Sequence, residues 1–324
     1  MKGLNMEVGK IDKDTPVYIA GHRGLVGSAI WRKMEQQGFS GLTGWDSHTL
    51  DLRDHDATFD AIMSSRPEVI VVAAARVGGI VANTSEPVQF LNDNLRIQTN
   101  LFEAAHAAGV NRLMFLGSSC IYPKMAQQPI RESSLMTGLL EETNRAYAVA
   151  KIAGIEAIRA YREQYGRRWI AAMPTNLYGP GDNFDLQTSH VLPSFIRKFH
   201  EARESSGPVE LWGTGRARRE FLHVDDLAAA VLHLLDRYDS PIPINVGVGK
   251  DISILSLAAL VADITGYCGE LVWDTSKPDG TPRKLLDTGR LQNLGWRPRI
   301  TLPEGIASTY DWYSTHLSGQ EKLS

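Results

Sequence analysis

The chain is poor in cysteine, in net charge and in long apolar runs. Among its 324 residues there are two cysteines, Cys120 and Cys268. Two thiols make no disulfide framework, which points to a reducing compartment. Lys and Arg total 34 against 37 Asp and Glu, a formal charge of −3. Without a basic excess, no nucleic-acid partner is expected. No apolar run reaches the roughly 18 residues that suggest a membrane span. No His/Cys spacing suits a metal site, and neither internal repeats nor low-complexity tracts occur. The first fifteen residues, "MKGLNMEVGKIDKDT", lack the apolar stretch of a signal peptide. Residues 1–15 are expected to be a disordered extension. These absences lead to the expectation of a cytoplasmic protein with no membrane partner.

What is present is enough apolar material, 43% of residues, to fill one large core or two coupled ones. "PVYIA" (16–20), "EVIVVAAA" (68–75), "RLMFLGSS" (112–119) and "WIAAMPTN" (169–176) read as strands, with a weaker "SGLTGW" at 40–45. Their apolar runs are continuous rather than alternating, as in parallel strands covered on both faces. Segments such as 25–37, 92–108 and 144–165 are long enough for crossover helices. Repeated βα units predict an α/β fold, a Rossmann-type doubly wound parallel sheet. The texture changes after residue 177, at "YGPGDNF", and "PINVGVG" (243–249) reads as a return to the main sheet. The expected division is a nucleotide-binding domain at 16–177 with a return segment at about 221–249. A smaller α/β substrate-binding part is expected at 178–220 and 250–324.

"VYIAGHRGLVGSAI" places Gly21, Gly24 and Gly27 between the first strand and a helix. A sharp turn, a pyrophosphate against bare backbone and a helix packed close to the strand would each be obstructed by a Cβ. The helix N-terminus then offers free N–H groups and partial positive charge to the phosphates. Leu25 and Val26 belong to the same anion-facing turn. After the second strand comes "GWDSHTLDL", with Asp46 and no arginine. A carboxylate there favours NAD, whereas Arg23 inside the glycine loop can reach the 2′-phosphate of NADP. NADPH is expected, with NADH possible.

"YAVAK" sets Tyr147 and Lys151 four residues apart on one helix face. A phenol of pKa about 10 is a poor acid at neutrality, and a nearby ammonium is expected to lower that value. Ser118, at the end of a strand one βα unit earlier, is placed to bind the same substrate oxygen. His223, Asp225 and Asp226 read as a structural turn into a helix.

The glycine loop, "GSSCIYPK", "PTNLYGPGDNF", "REFLHVDDLA" and "KPDGTPRKLLD" together resemble the GDP-L-fucose synthases, extended short-chain dehydrogenases/reductases, over about 16–315. The resemblance implies 3,5-epimerisation of a GDP-4-keto-6-deoxy-mannose and then NADPH reduction at C4. It implies Tyr147, Lys151 and Ser118 for reduction, and Cys120 and His190 as the additional acid–base groups that epimerisation needs. Cys120 is expected on an alternating strand end, facing the same side as Ser118. A thiol of ordinary pKa near 8.5 needs a modest shift to work at neutrality. Which of Cys120 and His190 is acid and which base stays open. Asp51 and Leu52 are implied to flank the adenine. Leu116, Gly117, Ser118, Ser119, Lys151, Pro174, Asn176, Leu177 and His190 are implied to line the rest of the cofactor. Lys198, Arg219 and Lys284 are cationic candidates for a nucleoside diphosphate, and Trp212 for the guanine or sugar. A homodimer is implied, through the helices at 92–108 and 144–165. The arginine-bearing segment that relatives carry after the second strand is here Trp45, Asp46 and Ser47.

Other readings predict different residues. A redox-neutral 4-epimerase needs no second acid–base pair, a non-catalytic nucleotide sensor needs no Tyr/Lys pair, and a related 4-keto-6-deoxy sugar would suit the same site.

Overall fold

The computed structural model describes residues 10–277 and 279–316. The strands are β1 (Val17–Ala20), β2 (Leu42–Thr43), β3 (Val69–Val72), β4 (Arg112–Leu116), β5 (Ile170–Pro174), β6 (Asn176–Tyr178), β7 (Val209–Trp212), β8 (Arg218–Arg219), β9 (Phe221–His223), β10 (Ile244–Val246), β11 (Ile252–Ser253), β12 (Leu271–Asp274) and β13 (Arg283–Lys284). The helices are α1 (Leu25–Gln36), α2 (His55–Ser65), α3 (Ile80–Ser85), α4 (Pro87–Ala107), α5 (Arg145–Tyr165), α6 (Val191–Ser205), α7 (Val224–Arg237), α8 (Ile254–Thr265), α9 (Gly289–Asn293) and α10 (Leu302–His316).

The main sheet has the order β10-β5-β4-β3-β1-β2, and each neighbouring pair is parallel. Every residue of β1, β3, β4 and β5 is buried, the signature of a sheet covered on both faces. On one face, Ile30 and Met34 of α1 pack with Leu227, Val231 and Leu235 of α7. On the other, Leu101 and Phe102 of α4 pack with Ile155 and Ile158 of α5 and with Trp169. The winding reverses between β1 and β3, and the crevice at the strand C-termini there is where such sheets take ligands.

β10 returns to the main sheet beside β5, with Ile244 opposite Ala172. A third apolar cluster lies outside the sheet: Phe195 and Phe199 of α6, Leu257 and Val261 of α8, Ile306 and Tyr313 of α10. Among the described residues, no helix is long and apolar enough to cross a membrane.

Three details differ from the sequence expectations. The N-terminal extension is docked by residue 11: Ile11 packs on the α1/α7 core, and its N–H donates to Asp236 Oδ1 at 3.0 Å. Residues 1–9 of the expected extension lie outside the described ones, as do 317–324 of the C-terminal part. The apolar run 169–176 is two strands, because β6 leaves the main sheet to pair with β9. The run 112–119 ends as a strand at Leu116 and continues into a 3₁₀ turn at Ser119–Ile121.

Candidate active site

Gly21 has φ +81°, and a Cβ there would stand 2.8 Å from Ala74 Cα at the end of β3. A Cβ on Gly27 would run into the Gly21 carbonyl, so α1 can approach its strand only as glycine. Gly24 is the N-cap of α1, with no side chain capping the first turn. Helix α2 is built differently: Asp54 accepts from Ala57 N at 3.0 Å and fills that role itself. The positive end of α1, beginning at Leu25 and Val26, is left for an external anion. Close backbone, a cradle that a Cβ would fill and an uncapped helix end fit a dinucleotide pyrophosphate.

Beside this loop, Arg23 Nη1 lies 2.6 Å from Asp46 Oδ2. Trp45 packs on Tyr18 with ring centroids 4.9 Å apart. Asp51 is engaged by Arg53, with Nη2 at 2.7 Å, while Leu52 packs on the α4/α5 core. Gly117 N donates to Ala172 O at 2.9 Å, and a Cβ on Gly117 would meet Met173 Sδ. That contact holds the chain beyond Leu116 hard against β5, which ends at Pro174. Asn176 Nδ2 donates to Glu220 O at 2.7 Å, and Leu177 packs on the α1/α7 core.

Tyr147 and Lys151 occupy the first turns of α5. Lys151 is 3% exposed; its Nζ donates to Leu116 O at 2.9 Å and lies 5.9 Å from the Tyr147 ring centroid. Burial pushes the Lys151 ammonium down to about 7. Burial also pushes the Tyr147 phenol far above its ordinary value; its electrostatic interaction with Cys120 adds to this, and the hydrogen bond with Ser118 opposes it. The expectation that the lysine lowers the phenol pKa is therefore corrected. Desolvation dominates, and Ser118 is the group acting in the lowering direction.

Cys120 also sits differently from expectation. It lies within the 3₁₀ turn, not on an alternating strand, because Ser118 caps that turn and accepts from Cys120 N at 3.2 Å. The turn still delivers the thiol to the site: Lys284 Nζ is 3.5 Å from Cys120 Sγ. Lys284 arrives by strand pairing, since β13 runs parallel to β8 with Lys284 opposite Arg219. Burial lowers the pKa of the Arg219 guanidinium, and its electrostatic interactions with Cys120, Glu141 and Asp279 oppose that. Arg219 is also tied to the loop before β13, donating to Asp279 O at 3.2 Å.

His190 is the N-cap residue of α6 and makes no capping bond with its side chain. Its side chain is open to solvent, yet enough protein surrounds the imidazole that desolvation lowers its pKa, and Lys284 adds to that. Ser118, Cys120, Tyr147, Lys151, His190, Arg219 and Lys284 thus belong to one electrostatic neighbourhood. Lys198 of α6 and Trp212 of β7 both lie against β7. Lys198 Nζ donates to Glu210 O at 2.8 Å, and half-exposed Trp212 has Lys277 Nζ 5.4 Å from its ring centroid.

The pocket next to Cys120 and Ser119 also contains residues that the sequence reading passed over. Lys124 and Glu141 form an ion pair at 3.0 Å there, with Thr281 Oγ1 3.4 Å from Glu141 Oε2. Asn144 Oδ1 is buried in the same wall without a hydrogen-bond partner. These polar walls suit a hydroxylated ligand. Their only sequence signal is proximity to Tyr147 and to "GTP", which is weak. Ala74, against Gly21, was more legible: a small residue where a second strand meets the glycine loop.

A doubly wound sheet with this glycine turn and a buried Tyr/Lys pair defines a nucleotide-dependent oxidoreductase or epimerase. The chain belongs to the NAD dependent epimerase/dehydratase family, whose match covers residues 17–247. It is 52% identical to GDP-L-fucose synthase 1 of Arabidopsis thaliana, over 93% of this chain and 94% of that protein. It is 51% identical to the GDP-L-fucose synthase of Escherichia coli (strain K12), over 92% of this chain and 96% of that one. The crystal structure of a GDP-L-fucose synthetase from Naegleria fowleri bound to NADP superposes with a TM-score of 0.88 at 28% identity, covering 95% and 97% of the two chains.

Proposed function

We propose that this chain is a GDP-L-fucose synthase: it epimerises GDP-4-keto-6-deoxy-D-mannose at C3 and C5 and reduces C4 with NADPH. The observation that carries this reading is Cys120, with Lys284 at 3.5 Å, in the same neighbourhood as Ser118, Tyr147 and Lys151. A simple ketone reductase needs the last three; epimerisation needs a further proton-transfer group.

Removing a proton beside the C4 ketone places negative charge on the C4 oxygen. Ser118 and the Tyr147 hydroxyl are the donors for that oxygen. Cys120 and His190, both under the influence of Lys284, exchange the protons at C3 and C5. NADPH, when bound along Gly21–Gly27, supplies the hydride to C4. Tyr147 gives its proton to the C4 oxygen. Burial disfavours charge on Tyr147 and on Lys151 alike, so each stabilises the other once the phenol has given up its proton. Arg219 and Lys198 are the cations for the diphosphate, and Trp212 is the apolar face for the base. The part at 178–220 and 250–324, with its own core, holds the nucleotide sugar, while the main sheet holds the cofactor.

Incubation with GDP-4-keto-6-deoxy-D-mannose and NADPH tests this, with product stereochemistry read by NMR. Stoichiometric NADPH consumption and an L-fuco product are expected. Turnover without net consumption would identify a redox-neutral epimerase, and an inert protein a nucleotide sensor.

The chain also pairs with a second copy of itself through α4 and α5. These helices pack together, yet Val149 stays 44% exposed and Val88 63% exposed. An isologous four-helix contact would cover them. A monomer mass by light scattering at micromolar concentration would refute this.

A further inference from the structure

Asp46 stands three residues beyond β2, at the position from which Rossmann sheets address the adenosine ribose. Its segment is pressed against the glycine loop, for a Cβ on Gly44 would stand 2.6 Å from His22 Nδ1. The carboxylate is pinned. Oδ1 accepts from His48 N at 3.1 Å, from Thr49 N at 2.9 Å and from Thr49 Oγ1 at 3.0 Å. These bonds hold it ionised and keep its pKa below the usual carboxylate range. Oδ2 takes Arg23 at 2.6 Å. The two partners differ in freedom: the Arg23 side chain is 72% exposed and Asp46 only 19%. Arg23 can leave the pair, whereas Asp46 is fixed by its own turn.

We propose that Asp46 is a specificity-determining residue that narrows the enzyme's preference for NADPH over NADH by holding Arg23 and keeping a fixed negative charge beside the ribose. This rests on the reductase reading above. A 2′-phosphate competes with Asp46 for Arg23, and even after winning it remains next to the carboxylate. A 2′-hydroxyl suffers neither penalty, because it can donate to Asp46 while the ion pair stays intact. The wild-type preference for the phosphorylated cofactor is expected to be about tenfold, equivalent to about 1.4 kcal/mol.

The test is isothermal titration calorimetry of NADP⁺ and NAD⁺ with the full chain, at fixed ionic strength, in wild type, Asp46→Asn and Arg23→Ala. Asparagine keeps the acceptor for the 46–49 turn and removes the charge. Asp46→Asn is expected to raise the NADP⁺/NAD⁺ affinity ratio about tenfold, mainly by tightening NADP⁺. Arg23→Ala, at an exposed side chain, is expected to weaken NADP⁺ and to leave NAD⁺ almost unchanged. An unchanged ratio in Asp46→Asn, or equal weakening of both dinucleotides in Arg23→Ala, would overturn the inference alone. Failure of wild type to bind either dinucleotide would overturn the reductase reading and this inference with it.

Discussion

On the proposed cofactor side, the turn assigned to the phosphates lies in one βα unit, from β1 through Gly21 to α1. On the proposed sugar side the groups come from the 3₁₀ turn at Ser119–Ile121, from α5, from the start of α6 and from the β8–β13 pair. Local backbone geometry sets the first. Tertiary packing sets the second, because Lys284 reaches Cys120 only when β13 has paired with β8. The cofactor side should therefore tolerate changes on the sugar side, and their effects should separate cleanly.

The largest expected effect is that of Tyr147→Phe. Losing the hydroxyl should slow C4 reduction by about 10²- to 10⁴-fold, the scale of positioned acid catalysis, while NADP⁺ affinity survives. Near-normal reduction with this variant would remove Tyr147 from the chemistry. Next is Cys120→Ser. Uptake of solvent deuterium at C3 and C5 should fall by about 10²-fold, again without loss of dinucleotide binding. If the same variant lost NADP⁺ affinity to a similar degree, the two sides would not be separable.

Lys151→Met probes the cost of burying the ammonium. In the folded protein burial pushes its pKa down to about 7 from the ordinary 10.5. Between those values the unfolded chain binds the extra proton, so wild-type stability rises with pH in that window. The variant lacks this dependence. Its stability relative to wild type should be greatest at pH 7 and below and should shrink towards pH 10.5, as followed by denaturant unfolding. A difference independent of pH would mean that Lys151 stays charged when folded. The smallest effect is reserved for Lys284→Met: removing the cation should raise the His190 pKa, observable by NMR titration of the imidazole. No movement would place Lys284 outside the reach of His190.

Much of the fold was legible because its signals are local. Continuous apolar runs marked the four buried strands of the main sheet, and "PINVGVG" marked the return strand. The glycine loop and the i,i+4 Tyr/Lys pair carry their geometry in their spacing. Cys120 was placed in the right neighbourhood for the wrong reason, since a serine cap can end a strand without changing its apolar pattern. The Lys284–Arg219 pairing was not legible, because two-residue strands have no periodicity from which to read a register. Nor was the meeting of Arg23 with Asp46, where both residues were in view but their separation depended on how the loop after β2 packs. Ile11 shows the same limit at small scale: one apolar residue in a polar extension is enough to dock it.

The return of the chain to β10 has a consequence for synthesis. The α1-covered face of the main sheet is closed by Leu227, Val231 and Leu235 of α7, and Arg112 of β4 is satisfied by the carbonyls of Leu234, Leu235 and Tyr238. Both arrive only after the ribosome has made the excursion beyond β6. At about 5–20 residues per second, a nascent chain that has finished β5 waits some seconds with that face bare and with Arg112 held by the Arg168 carbonyl but not yet by those of α7. A message cut short near residue 177 would therefore yield an adhesive, unfinished sheet rather than a free-standing cofactor carrier, and during that interval the growing chain is the form most in need of a chaperone.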